Sequence, residues 1–199
     1  MFNQISEVIG SLLMSYPAQA ISLIFLLIFC ETGLVVTPFL PGDSLLFILG
    51  ALLSAIKLWQ IIVLIIFLST AAILGNIINY SIGKYLGSVI LSKKWIKKEY
   101  LKRTEKFYKK YGVKTIILSR FIPVVRTIAP FVAGLGKMNA RKFILFNIIG
   151  GFLWVSIFIF GGYFFGSIPL VKNNLSLLML LIIIISIIPA LIHYLKSKS

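Results

Sequence analysis

The chain has 199 residues, of which 59% are hydrophobic and 13% charged, with a formal net charge of +15 and a mean hydropathy of +1.03. A soluble domain of this length could not cover so much apolar surface with so few charges, so lipid must be the solvent for most of the chain. The one cysteine, Cys30, excludes an intramolecular disulfide and a cysteine-cluster metal site, and the one histidine, His193, lies at the end of the last apolar run, so histidine catalysis and zinc chemistry have almost no material.

Residues 1–30 are expected to form an N-terminal helix or span. No Lys or Arg precedes the apolar stretch and no small-residue cleavage pattern stands before Cys30 and Glu31, so the segment does not read as a cleaved signal. Pro17 suits the first turn of a new helix. The run then breaks at CETGLVVTPFLPGDSLLFILGALLSAIK, where Glu31, Pro38, Pro41, Gly42 and Asp43 interrupt what would otherwise be one long span. Residues 31–57 therefore read as a first re-entrant hairpin, and 58–83 as an uninterrupted span long enough for a hydrocarbon core of about 30 Å. Next come a densely basic loop at 84–112 and SRFIPVVRTIAPFVAGLGK at 119–137, which carries two arginines and two prolines in an apolar setting. Residues 113–137 read as a second hairpin, followed by spans at 143–166 and 175–195.

Orientation follows from the basic loops. Lys and Arg accumulate on the cytoplasmic side, which places residues 84–114, the loop 137–142 and the C-terminus with Lys196 and Lys198 inside. Segment 113–137 then begins and ends on the cytoplasmic face, whereas 31–57 enters from the outer one. Each half has a Pro-punctuated hairpin and a span ending in a similar phrase, GKYLG at 83–87 and GYFFG at 162–166. Weak internal similarity with opposite insertion is the mark of an inverted repeat. The expected fold is thus an all-α integral membrane protein, with multi-pass helices and two opposed re-entrant helical hairpins. Irregular backbone at membrane depth is tolerated only against protein or water, so both hairpins should meet at a central, partly hydrated cavity.

Few ionisable residues sit in apolar surroundings: Glu31, Asp43, Arg120 and Arg126, with Lys84 near a span end. A charge at membrane depth costs about 2.5–3.5 kcal/mol on insertion scales. Snorkelling to headgroups explains arginines near an interface, and a buried ion-pair network that merely fixes the fold explains one acid–arginine pair. Neither explains two arginines beside prolines on one hairpin and two acids on another that enters from the opposite face. Arginine presents a planar fork suited to phosphate and stays charged when desolvated, and helix N-termini just after Pro41 or Pro130 would add N–H donors. Glu31 and Asp43 would neutralise the arginines in the empty state or take up protons when substrate arrives. Gly33, Gly42, Gly134 and Gly136 allow turns and close backbone approach, and Pro38, Pro41, Pro123 and Pro130 shape the hairpins. Asn76, Asn79 and Tyr80 on one span are interhelical hydrogen-bond glue or cavity lining. The basic run at 93–114 is the inside-positive signal and an attractor of anionic lipid; with topology accounting for the charge, nucleic acid is not an expected partner.

These residues resemble the signatures of the DedA family, also called the VTT-domain or SNARE-associated membrane proteins. ETGLVVTPFLPGDSLL matches the first, through Glu31, Gly33, Pro38, Pro41, Gly42 and Asp43. GNIINYSIGKYLG is similar to the second, through Gly75, Tyr80, Gly83, Lys84 and Gly87, with Asn76 where the family usually carries an acid. SRFIPVVRTIAPFVAGLGKMNARKFILFNIIGGFLW matches through Arg120, Phe121, Pro123, Arg126, Thr127, Pro130, Ala133, Gly134, Met138, Phe143, Asn147, Gly150 and Trp154. The resemblance implies a multi-pass bacterial inner-membrane protein with two facing hairpins, associated with returning undecaprenyl phosphate across the membrane. Other members are linked to phosphatidylethanolamine handling, envelope stress and proton-motive force, and eukaryotic relatives are scramblases. It also implies Arg120, Arg126 and Thr127 as substrate-binding, Glu31 and Asp43 as coupling groups, and Asn76, Tyr80, Lys84 and Asn147 as cavity lining. Asn76 puts in doubt any coupling role of an acid there.

The function expected from these readings is movement of an anionic lipid phosphate between leaflets, coupled to protons or sodium, with no cofactor and no enzymatic step. The rivals are a proton-coupled cation antiporter, a phospholipid scramblase, and a non-transporting envelope-maintenance factor. A lipid phosphatase would want a histidine nucleophile or a metal-binding acid cluster, and the chain offers neither.

Overall fold

A computed structural model describes residues 10–34, 42–93, 98–165 and 168. All regular structure among them is helical: α1 (Pro17–Gly33), α2 (Gly42–Leu52), α3 (Leu58–Ser92), α4 (Lys98–Tyr111), α5 (Pro123–Leu135) and α6 (Ala140–Phe165), with a short helical stretch at 10–15 before α1. Pro38, Pro41, residue 166 and the expected span 175–195 lie outside the described residues.

Two helices are long and apolar enough to cross a membrane, α3 and α6. At 1.5 Å per residue they measure about 52 and 39 Å, whereas α1, α2 and α5 reach only about 25, 17 and 20 Å, short of a hydrocarbon core. Each long helix buries one face and leaves the other apolar and exposed. Ile62, Val63, Ile66 and Leu74 of α3 and Leu145, Ile149, Phe152 and Leu153 of α6 all point outward. A contiguous apolar exterior of this kind suits lipid, not water.

Several boundaries differ from the sequence expectation. α3 does not stop at 83 but continues to Ser92, because Gly83 and Gly87 are buried packing positions inside a helix: a Cβ on Gly87 would come within 2.6 Å of Leu135 Cδ1. Much of the expected loop 84–112 is therefore helical, in α3 and α4. Glu31 and Gly33 belong to the last turn of α1, so the first arm begins at Pro17, well before residue 31. α6 starts at Ala140 because Asn139 Oδ1 accepts from the N–H groups of Arg141 at 3.0 Å and Lys142 at 3.3 Å, a side-chain cap.

The core gathers Ile24 and Ile28 of α1, Leu46 and Leu49 of α2, Ile61, Ile65 and Leu68 of α3, and Trp154, Val155 and Ile159 of α6. The long helices run antiparallel, since rising numbers on one meet falling numbers on the other. Tyr80 stacks on Phe143 with centroids 4.3 Å apart, Asn76 bonds Asn147 at 3.0 Å, and Ile73 lies beside Gly151.

Glycines set how the short helices dock. α5 lies on α3: a Cβ on Gly134 would collide with Tyr80 O and stand 2.7 Å from Lys84 N, and one on Gly83 would collide with Phe131 O. α2 lies on α6 in the same manner, with Gly50 against Ile159 O and 3.0 Å from Tyr163 N, and Gly162 against Phe47 O. Both contacts join an F-x-x-G phrase, 47–50 or 131–134, to a glycine three residues after the backbone carbonyl it faces. α2 and α5 thus each pack on the long helix that does not directly follow them in the chain.

Candidate functional site

The break in the second arm creates the site. Residues 112–121 form short turns of helix, Ile122 is extended at φ −125° and ψ 105°, and α5 restarts with Pro123 in its first turn. Arg120 ends the first piece and Arg126 falls in the first turn of the second, so the interruption aims both guanidiniums inward. Pro130 begins no helix; it lies inside α5. The N-terminal donors expected there are absent, because the helix runs through Pro130, whose ring has no N–H to offer the carbonyl of Arg126.

Arg126 is clamped by two acids, Glu31 of the last turn of α1 and Asp43 of the first turn of α2. Its Nη1 donates to Asp43 Oδ1 at 2.6 Å, and its Nη2 donates to Glu31 Oε1. Trp154 Nε1 donates to the same Asp43 oxygen at 2.9 Å, and the guanidinium carbon sits 5.4 Å from the Trp154 ring centroid. Gly42 makes room for this, since a Cβ there would collide with Glu31 Oε2. The close approach of Gly33 to Gly75, where a Cβ would be 3.3 Å from Gly75 Cα, brings the end of α1 against α3.

Arg120 is held differently. It is 3% exposed, and its Nη2 donates to Asn147 Oδ1 at 2.6 Å, with longer bonds to Asn147 O at 3.4 Å and Ala72 O at 3.5 Å. Its side chain crosses Gly150 and Gly151, whose added Cβ atoms would meet it at 3.2 and 3.3 Å. Among the described residues no carboxylate pairs with Arg120. Nε of both arginines has no acceptor among the described protein atoms.

Glu31, Thr32, Asn76, Arg120, Arg126, Thr127 and Trp154 line one pocket with space on the order of a single water molecule. Formally, one guanidinium faces two carboxylates, and Arg120 restores neutrality.

Most of the expected residues meet here, but two do not. Tyr80 donates to Met138 O at 2.5 Å and stacks on Phe143, tying α3 to the start of α6, and is not among the residues that line this pocket. Lys84 is exposed, with its ammonium 5.4 Å from the Tyr85 ring centroid, because the helix extends beyond it and turns it outward. Three residues gain importance from the structure. Trp154 is a motif position in the sequence and here orients Asp43; Thr32, beside Glu31, lines the pocket. Asn79 donates through Nδ2 to Thr32 O at 3.1 Å and Thr127 O at 2.8 Å, fastening the neighbours of Glu31 and Arg126 to α3. Its spacing of three from Asn76, on one helical face, is the available sequence signal.

Comparison with known proteins decides the family. A model of the VTT domain matches residues 40–164. Protein DedA of Escherichia coli is 47% identical over 194 residues, covering 96% of this chain and 89% of that protein. The chain belongs to the DedA family. Two further DedA relatives are an uncharacterized membrane protein of Mycobacterium leprae, 38% identical over 92% of this chain and 85% of its own, and the inner membrane protein YqjA of Escherichia coli, 37% identical over 73% of this chain and 67% of its own. No solved structure matches. The DedA match, the two apolar long helices and the lipid-suited exterior make this an integral membrane protein.

Proposed function

We propose that this protein moves an anionic lipid phosphate between the leaflets of a bacterial inner membrane, with undecaprenyl phosphate as the expected cargo. The observation that carries the reading is Arg120, a buried guanidinium with neutral partners beside an acid-compensated Arg126, in a pocket at the crossing of two apolar long helices. A phosphate supplies the charge that Arg120 lacks and accepts a bidentate fork. The lipid tail stays in the bilayer through a lateral opening. When the phosphate arrives, Arg126 exchanges a carboxylate for it, and Glu31 and Asp43 balance the released charge by taking up a proton or a sodium ion.

The alternating-access part of the reading has two hairpins entering from opposite faces as an inverted repeat. The reciprocal glycine contacts support it: equivalent phrases lock α2 to α6 and α5 to α3, and those long helices are antiparallel, as a two-fold axis in the membrane plane requires. The inner-membrane location draws on the name of the YqjA relative, and the cytoplasmic side of residues 84–114 on their excess of Lys and Arg.

In liposomes carrying a labelled polyprenyl phosphate, the wild type is expected to move label between leaflets and Arg126→Ala to abolish movement while leaving expression intact. Normal flipping by that variant removes the core of the proposal. The excess carboxylate at Arg126 favours one second reading, a proton-coupled cation antiporter. Counting labelled cation against labelled lipid in the same vesicles separates the two.

A further inference from the structure

Arg126 has acids for partners, and Arg120 has amides. Asn147 is fully buried, and its amide is committed on both sides: Oδ1 accepts from Arg120 at 2.6 Å and from Asn76 Nδ2 at 3.0 Å, and Nδ2 donates to Ile73 O at 3.0 Å. Turning that amide over would set its NH2 group against the guanidinium and the Asn76 NH2 group, donor against donor, so one orientation is fixed. The paired glycines 150 and 151 let the arginine lie flat across α6. A buried cation met only by neutral acceptors is costly to hold, yet the fixed Asn147 amide and two backbone carbonyls hold this one in place.

We infer that Asn147, fixed by Asn76, is a positioning residue that keeps Arg120 out of direct contact with any carboxylate at the pocket, so that its contact counter-ion is the phosphate of the ligand and not a carboxylate of the protein. The two arginines then act in turn: Arg120 receives the anion first, and Arg126 follows by exchanging one of its carboxylates for it. This rests on the reading that the ligand is an anionic phosphate.

The test uses the full chain in neutral detergent micelles, followed by thermal unfolding with dodecyl phosphate, dodecanol or inorganic phosphate. Dodecyl phosphate is expected to raise the unfolding temperature of the wild type and dodecanol to leave it unchanged. Asn147→Asp sets a carboxylate on Arg120. The variant loses the Nδ2 bond to Ile73 O, but that carbonyl lies inside α3 with a helical partner of its own and the new ion pair outweighs the loss. It should therefore unfold at a higher temperature than the wild type without ligand, and its affinity for dodecyl phosphate should fall about tenfold or more. Damaged packing would lower both quantities, so opposite movement is the signature of positioning. An Asn147→Asp protein that binds dodecyl phosphate as the wild type does overturns the inference. Should that variant not fold, Asn76→Ala removes the second donor on Asn147 Oδ1 and should weaken dodecyl phosphate binding; unchanged binding is then the overturning result. If neither phosphate stabilises the wild type, the inference and the lipid-phosphate reading fall together. Stabilisation by inorganic phosphate as strong as by dodecyl phosphate supports the anion cradle and counts against a lipid ligand.

Discussion

Asn79 offers the sharpest separation of structural and functional consequences. It is fully buried, and its Nδ2 donates to the carbonyls of Thr32 at 3.1 Å and Thr127 at 2.8 Å. Thr32 lies in the last turn of α1, where carbonyls have no partner within the helix; Thr127 lies inside α5, where the helix can still supply Phe131 N–H. Asn79→Ala therefore removes two hydrogen bonds of about 1 kcal/mol each and strands one buried acceptor at about 1–3 kcal/mol. Part of this is offset, because Asn79 Oδ1 has no partner among the described atoms and its own burial penalty vanishes. The net loss should be roughly 1–3 kcal/mol. Asn79→Asp keeps the shape but turns an acceptor toward two carbonyls, so the expected order of stability is wild type, then Ala, then Asp. Thermal unfolding in micelles reads this order. Lipid movement in liposomes should fall about tenfold or more in both variants, because the residues beside Glu31 and Arg126 lose their anchor. An Asp variant as stable as the wild type, or an Ala variant with full transport, would refute the reasoning.

Two other perturbations follow from the glycine contacts. Gly42→Ala drives a methyl into the Glu31 carboxylate and should reduce lipid movement while circular dichroism still shows the wild-type helix content; full transport would show that the Glu31–Arg126 pair is dispensable. Gly50→Leu and Gly134→Leu push apart equivalent helix pairs, and each should lower stability by about 1–3 kcal/mol or more. Chemical unfolding in micelles that finds one of them harmless would break the equivalence of the two halves.

The composition alone dictated a lipid solvent, because an apolar excess of this size has no soluble packing solution, and the long helices appear where uninterrupted apolar runs fall. The family was likewise legible, since spaced Gly, Pro, Arg and acidic residues survive as a pattern in one dimension. Helix ends were less so: nothing local marks Gly83 and Gly87 as interior packing positions, and only contact with Phe131 and Leu135 explains why α3 runs past them. Pro130 looked like a helix start because a proline tolerates that position, yet tertiary contacts hold it mid-helix.

The charged residues were conspicuous in the sequence because ionisable side chains are rare in apolar stretches. Which acid meets which arginine was not, because Glu31 and Asp43 lie 95 and 83 residues from Arg126. A residue type states that a charge must be compensated, but only the packing of one half against the other chooses the partner. That choice gives Arg126 two carboxylates and Arg120 the amide oxygen of Asn147 with two backbone carbonyls.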